Sequence, residues 1–564
     1  MIISNFIKTI MKKDLQQNKI SEIITRFPPE PNGFLHLGHA RAIIINFELA
    51  KLFQGKTYLR YDDTNPIREK SIYIENIQKD INWLGYKPDK IFFTSDYFEI
   101  IYQKAILLIQ KNKAFVDDLN TEELKKTREM QQCSPYRNRS ISENLKLFIQ
   151  MAQGKFQIGK KVLRAKIDMS SPNINLRDPV LYRILNTKSL KQQHHYIYPT
   201  YDFAHPLADS VEKITHSLCS LEFEDHRPLY NWIIKETEMI HVPQQIEFGR
   251  LNIVGTCLSK RILKLLVDYN LVQGWDDPRM PTLIGLRNRG LTPLAIKNFI
   301  IEAGLSKINS NIDKNMLDAC LRNDLQLKTK TIIAIIKPLK ITITNYPENK
   351  IEYREIPYYK NNEQIKRKVF FSRNIYIEHS DFEINKPNKD FKRLFLNGEV
   401  RLLYFYFIKA YKIITNESGE IIEILATYDP ITKSGSGFNQ RKPNGTIHFL
   451  TIENSSEATF NFYQDLLLKN TDELNKQKPE EIKNFFNFNS WVQQKGFLEN
   501  TLDFKNNLEK FQFIRHGFFN LEHKNNQIRN FNEIVKPRYI NTLNLNSLFV
   551  LKRLTMTQYN IFVQ

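Results

Sequence analysis

Three prolines within residues 28–31, set at the end of an apolar run, constrain this chain more than any other feature. They lie in the stretch Arg26-Phe27-Pro28-Pro29-Glu30-Pro31-Asn32-Gly33-Phe34-Leu35-His36-Leu37-Gly38-His39. Residues 23–27 are apolar enough for a buried strand, and proline, which lacks an N–H, stops any further sheet ladder. Asn32-Gly33 supplies a turn. After His39 the run to Phe53 has helical length, with Gly55 as its stop. The chain thus passes from strand to turn to helix, with two histidines at the helix mouth. Unpaired N–H groups and partial positive charge gather there, which suits a phosphate. Histidines three residues apart add donors, so the stretch predicts a nucleotide site. The plainer reading is a surface turn before a core helix, and a zinc site lacks a third ligand at metal spacing.

Residues 56–61 predict a second strand, ending in Asp62-Asp63-Thr64-Asn65-Pro66. A strand, helix, strand unit of this length implies a parallel sheet with ligands at the carboxyl ends of its strands. Asp62 and Asp63 fall at such an end, unless they serve only the helix expected over 70–84. Helices are then expected over 96–113, 122–132 and 142–152, before a strand at 161–168. Further helices are expected over 292–304 and 313–324. After about Thr331 the period alternates, predicting strands at 340–345, 368–377, 399–411, 421–427 and 446–450. Asn416-Glu417-Ser418-Gly419 is a hairpin turn, and 432–445, rich in Gly, Ser, Lys and Asn, reads as a flexible loop.

The net charge of +20 over 564 residues favours an extended polyanion. No stretch approaches the roughly 18–20 apolar residues of a transmembrane helix, which leaves nucleic acid as the partner. Basic groups beside aromatic or apolar ones, in 134–139 and 163–168, suit backbone phosphates and splayed bases. Cys133, Cys219, Cys257 and Cys320 form no Cys-x-x-Cys, which predicts a reducing compartment, no disulfide framework and no structural zinc. The N-terminus lacks an apolar core with a cleavage site and runs on through Asp14 and Glu22, so a cytoplasmic protein with its own N-terminal helix is expected.

His-Leu-Gly-His at 36–39 resembles the first signature of class I aminoacyl-tRNA synthetases, and the longer phrase around it resembles the glutaminyl-tRNA synthetase family. Residues 250–261, Arg-Leu-Asn-Ile-Val-Gly-Thr-Cys-Leu-Ser-Lys-Arg, resemble the second signature. The family's usual Val-Met before Ser-Lys is Cys257-Leu258 here, and Gly255 replaces bulk, so altered loop mobility is expected. Residues 178–183 and 274–282 also fit, and the resemblance runs from about residue 5 to 530, strongest through 282.

The resemblance implies an α/β Rossmann-like parallel-sheet catalytic domain with an α/β insertion and a helical connector, followed by two C-terminal β-barrels. It places an N-terminal helix in 1–22 and the two catalytic halves in 23–95 and 200–262. The insertion, which grips the tRNA acceptor end, takes 96–199, the connector 263–335 and the anticodon-binding barrels 336–564. A divergent tail begins at about 530, and the apolar segment 543–564 has no assigned role. The implied reaction activates L-glutamine with ATP, carried as its Mg²⁺ complex, and transfers it to the terminal ribose of tRNA(Gln), with tRNA bound before activation. Monomeric action and no membrane partner are expected.

The resemblance also implies roles residue by residue. His36, His39 and Lys260 are catalytic, with Lys260 meeting charge that develops on the phosphates. The ATP site takes those three with Glu30, Pro31, Asn32, Gly33, Leu37, Gly38, Ala40, Arg41, Ala42, Ser220, Arg250, Leu251, Leu258 and Ser259. For glutamine, Arg26 meets the carboxylate through its planar fork, Asp62 the α-ammonium and Tyr201 the amide, with His205 and Cys219 lining or supporting the pocket. Asp225, Ser306, Lys307, Asn311 and Asp313 are candidate tRNA contacts, and Lys392, Arg393, Arg401 and Gln512 match anticodon positions. A family arginine two residues past Arg401 is Leu403 here, so anticodon contacts are expected to be partly rebuilt. Two other readings stand beside this one: a glutamyl-tRNA synthetase, and a non-catalytic tRNA-binding paralogue.

Overall fold

The computed structural model describes residues 5–189, 191, 193–469, 473–474, 476–500, 509–522 and 529–538. The strand Ile24–Phe27 lies parallel to Lys56–Tyr61, which lies parallel to Lys90–Phe93. A second parallel pair, His216–Ser220 with Gln244–Phe248, abuts this sheet at Ile24. There the Thr215 amide donates to Ile24 O (3.0 Å), and its hydroxyl accepts from Ile24 N (2.9 Å). Both carboxyl ends thus open towards one cleft, the place where parallel sheets bind ligands. The helix Phe6–Gln16, capped by Asn5, buries Ile7 and Met11 with Ile45 and Leu49 behind the sheet.

Between the two parallel sheets the chain builds a four-stranded antiparallel sheet: Ala114–Asp117, Val162–Ala165, Val180–Lys188 and His194–Pro199. The helices Phe98–Gln110 and Ile141–Ala152 pack on it. Phe203, Leu207, Leu229 and Ile233, from the helices Tyr201–Val211 and Arg227–Glu236, share the same core, so the insertion is welded to the cleft wall.

The last part holds two barrel-like seven-stranded sheets. The chain enters the first at Lys330–Ile332 and Ala334–Ile335, leaves to build the second, then returns through Ser455–Tyr463. Strands therefore start five residues before the expected end of the connector. Arg529–Val535, expected to begin the divergent tail, is an inner strand between Gly517–Glu522 and Ser455–Tyr463, because Phe531 and Ile534 supply buried side chains. The segment 543–564 lies outside the described residues.

Two expected strands prove to be pairs. Residues 399–411 split into Glu399–Leu402 and Phe407–Thr415 around a tight turn in which Tyr404 takes φ +74°. Residues 368–377 break at Ser372, so that Asn362–Phe371 joins a two-stranded ribbon and Asn374–Glu378 joins the second sheet. The loop 432–445, expected to be flexible, is tied down: Arg441 pairs with Glu399 and Asp429, and Arg354 Nη1 donates to Ser434 O (2.7 Å).

Candidate active site

The first signature is built from reciprocal capping. His36 precedes the helix Leu37–Leu52, and its Nδ1 accepts from Gly38 N (3.1 Å). His39 Nδ1 accepts in turn from His36 N (3.1 Å). Burial pushes His36 down to about 3 and His39 well below 6.5, so both rings are neutral. A neutral ring that accepts at Nδ1 carries its proton at Nε2. Both residues line the cleft and therefore offer it an N–H. A Cβ on Gly38 would stand 2.9 Å from His36 Cε1, which is why glycine fits between them.

Residues 274–282 brace this turn, a role that motif matching alone did not reveal. Leu37 N donates to Pro281 O and Leu283 N to Leu35 O, while Trp275 stacks on Phe34. The second signature then closes the cradle. Lys260 opens the helix Lys260–Asp268, and its Nζ donates to Asn32 Oδ1 (2.9 Å), joining the two signatures across 228 positions. Burial lowers the Lys260 ammonium from its ordinary value.

These groups line a cavity of about 1520 Å³. Glu30, Leu37, Arg41, Ala42, Ser220, Arg250, Leu251, Leu258 and Ser259 share its wall. Pro31, Asn32, Gly33 and Ala40 stand off it: Asn32 acts through Lys260, and Ala40 is buried in the core behind the helix. Arg250 pairs with Glu222 at the rim. Arg41 is buried with one bond, to Gly304 O, and its Nε and Nη1 lack partners, so a cation waits in the wall. Its burial lowers it to about 10.

The far end of the cavity carries the groups expected to meet the amino acid. Asp62 is buried, its Oδ1 has no partner, and burial pushes it up to about 6. Asp63 instead accepts from Ser95 N and Oγ, and neither aspartate caps the helix Ser71–Trp83. Sequence reasoning missed two neighbours, Glu69 and Arg183. Glu69 is pushed up to about 9 by burial, with Oε2 unpartnered, and Arg183 Nε is unpartnered too. At neutral pH Asp62 is thus ionised beside a protonated Glu69, the kind of separation that assigns different tasks to paired carboxyls.

Arg26 departs from expectation. It is fully buried, and each nitrogen has a protein partner: Nε donates to Asp209 Oδ1 (3.0 Å), Nη1 to Leu218 O (2.8 Å) and Nη2 to Ser217 Oγ (2.7 Å). Arg26 still reaches the cavity wall, but Nη1 and Nη2 are both engaged by the protein, which leaves little of the fork for a bidentate grip on a carboxylate. Arg60 joins it, bonding Asp209 and Glu212. Burial opposes the charge on Asp209, yet the Arg26 and Arg60 guanidiniums together hold its carboxyl well below the usual range. His205 is kept neutral by burial and by the two arginines; Nδ1 accepts from Arg60 Nη2 (3.0 Å) and Nε2 points to Asp209 Oδ2 (3.4 Å). Tyr201, on the cavity wall, stacks on His205 with centroids 4.9 Å apart. Cys219 lines the same wall, and burial pushes its thiol up to about 12, so it is inert. The signal for Asp209 was in the sequence: it stands four residues after His205, on the same face of one helix.

The loop of the second signature is held by Asp465 and Leu466, which line the same cavity. Cys257 packs with Leu466 and Phe486, while Leu258 packs against the core under the first signature. Gly255 takes φ +79°, and a Cβ there would lie 2.9 Å from Asp465 Oδ2. Asp465 pairs with Lys314 (2.7 Å).

The expected tRNA contacts are scattered. Asp313 caps the helix Lys314–Gln326, Asn311 accepts from Asn252, and Ser306 closes its own turn on Ile308 O. Lys307 sits over Phe6 at 5.3 Å, and Asp225 O accepts from Asn173. Lys392 donates to nearby Lys389 O, and Arg393 donates to Ser380 O. Arg401 Nη1 donates to Thr432 O and Ser434 Oγ, with the guanidinium 4.2 Å over Phe407. Gln512, on the other sheet, accepts from Thr331 Oγ1.

Comparison with known proteins agrees with this anatomy. Residues 22–327 match the family described as tRNA synthetases class I (E and Q), catalytic domain. Residues 331–429 and 446–522 match the anti-codon binding domains of the same class. A glutamine–tRNA ligase of Clostridium perfringens is 51% identical, over 92% of this chain and 94% of its own length. Those of Clostridioides difficile and Bradyrhizobium diazoefficiens are 49% and 45% identical, each over more than nine-tenths of both chains. The chain belongs to the class I tRNA synthetases of the glutamate and glutamine type, in the family of the glutamine–tRNA ligases.

Proposed function

We propose that this chain ligates L-glutamine to tRNA(Gln) in two steps, glutaminyl adenylate and pyrophosphate forming first. ATP enters with Mg²⁺ as its escort. The Nε2–H groups of His36 and His39 and the Lys260 ammonium meet the phosphates as charge develops on them, so the work is electrostatic and positional. Arg41, a buried cation with two unpartnered nitrogens, adds to the nucleotide side. Asp62 holds the α-ammonium, and the terminal ribose of tRNA then attacks the adenylate. No protein nucleophile takes part.

One observation carries the choice of glutamine: Arg26, beside the Tyr201 and His205 end of the pocket, already engages each of its nitrogens with Asp209, Leu218 O, Ser217 or His205. The Tyr201 hydroxyl, on the cavity wall with its ring stacked on neutral His205, suits an amide because it can both donate and accept. A side-chain carboxylate beside Tyr201 would find the charge of Arg26 already answered by Asp209, and a site built for one polar partner rejects the other strongly. The acceptor end lies against 96–199 and the anticodon against the two seven-stranded sheets. The protein works as a monomer in the cytoplasm.

Aminoacylation measured with glutamine and glutamate, with and without tRNA, tests this. Glutamine alone is charged, and pyrophosphate exchange requires tRNA. Equal charging of glutamate would refute the pocket assignment, and no charging would favour a non-catalytic paralogue.

A further inference from the structure

The joint between the two seven-stranded sheets holds a buried carboxylate shared by two arginines. Asp381 is fully buried after the strand Asn374–Glu378 of the second sheet. Arg515, in the turn between Lys510–Phe513 and Gly517–Glu522 of the first sheet, grips it bidentately: Nη1 to Oδ2 at 2.6 Å and Nη2 to Oδ1 at 2.8 Å. Arg393 reaches the same Oδ1 with Nε at 3.4 Å, while its Nη1 donates to Ser380 O. Both arginine side chains stay partly exposed, 27% and 30%, whereas the carboxylate is fully buried.

The surroundings fix this arrangement. Arg515 takes φ +69°, a conformation held only where contacts impose it. Its Nη1 also donates to His448 Nδ1 (3.0 Å), so His448 carries its proton at Nε2 and donates to Ala334 O (3.2 Å). His448 thereby has no lone pair for a metal, although its ring nitrogen, the His516 nitrogen and a Glu378 oxygen lie within 4.8 Å of one another. His516 Nε2 bonds Glu378 Oε1 (2.8 Å), and the same carboxylate accepts from Ile336 N and Lys337 N where the chain crosses between the sheets. Two cations against one carboxylate leave surplus positive charge on these partly exposed side chains, which suits a polyanion.

We propose that Asp381 is a positioning residue for tRNA discrimination: it aims Arg393 and Arg515, one from each sheet, at the nucleic acid and makes them act as a unit. This rests on the reading that the two sheets recognise the anticodon. Because both arginines share Oδ1, displacing one moves the acceptor of the other.

The test uses the full-length enzyme and measures kcat/KM for tRNA(Gln) against transcripts with each anticodon base changed in turn. In Asp381→Asn, the preference for the native anticodon falls about tenfold or more, through KM for tRNA, while glutamine KM holds. Arg393→Gln and Arg515→Gln, made singly and together, supply a second arm. Their double variant is no worse than the poorer single one if they act as a unit. Equal losses on all transcripts in Asp381→Asn, or additive losses in the arginine cycle, would overturn the proposal. A wild-type enzyme indifferent to the anticodon would overturn the underlying reading and the proposal with it.

Discussion

In the cleft, groups placed to meet a ligand keep atoms to spare. Asp62 Oδ1, Arg41 Nε and Nη1, Glu69 Oε2 and Arg183 Nε are buried and unpartnered, and His36 and His39 use Nδ1 internally so that Nε2 remains a donor. In the paired sheets, Arg393, Arg401 and Arg515 are instead largely spent on the protein's own carbonyls and carboxylates. A buried polar atom without a partner costs free energy, so a fold tolerates several together only where a ligand repays them. The difference teaches that the cleft is built to lose strain on binding. The sheets, by contrast, are built to hold a surface in one shape before the nucleic acid arrives.

The largest effect should come from Lys260, which bridges the two signatures through Asn32. Lys260→Ala is expected to slow adenylate formation by about 100- to 1000-fold. Binding of tRNA, measured separately, should stay unchanged. Loss of tRNA affinity with intact chemistry would move Lys260 out of the cleft's machinery and blur the contrast between the two regions.

The two regions were also unequally legible in the sequence. Strand, proline stop, turn and helix follow one another within residues 24–52, so the positions of His36 and His39 come from local rules of capping and spacing. Asn32 and Lys260 needed only a second local phrase. The floor under Tyr201 was harder to read, because Arg26, Arg60, Asp209 and Ser217 come from different elements and meet only once the two parallel pairs abut. Arg26, expected at the substrate carboxylate, has its Nε committed to Asp209 as well as a place on the cavity wall. In the sheets, Asp381, Arg393 and Arg515 are joined across 134 positions, and no periodicity announces such a triad. The turn at Tyr404 and the break at Ser372 were missed because alternation continues on both sides of each.

A middle-sized effect belongs to Asp62. Asp62→Asn should raise the glutamine KM by about 10- to 100-fold, the worth of a charged hydrogen bond in a buried site. Its pH dependence follows from its pKa of about 6, raised by burial above the ordinary carboxylate value. Above that pH the group is ionised and attracts the α-ammonium; as pH falls through about 6 it takes a proton, and the wild-type KM rises. Asp62→Asn should show a flat profile across the same window. An unchanged slope in the variant would assign the titration to Glu69 or another neighbour.

The smallest effect is expected at Arg401, and it tests the other half of the comparison. Its Nη1 braces Thr432 O and Ser434 Oγ, so Arg401→Ala should release the loop 432–445 and cost about 1–2 kcal/mol of stability. Cleavage within that loop by a dilute protease should speed up, while the tRNA KM rises about fivefold or less. A guanidinium that braces the loop and one that stacks on a base give opposite signatures. In the first case the loop opens and every transcript suffers alike. In the second the loop stays protected and one anticodon position alone loses its preference, which would place Arg401 with the groups that hold atoms in reserve, as in the cleft.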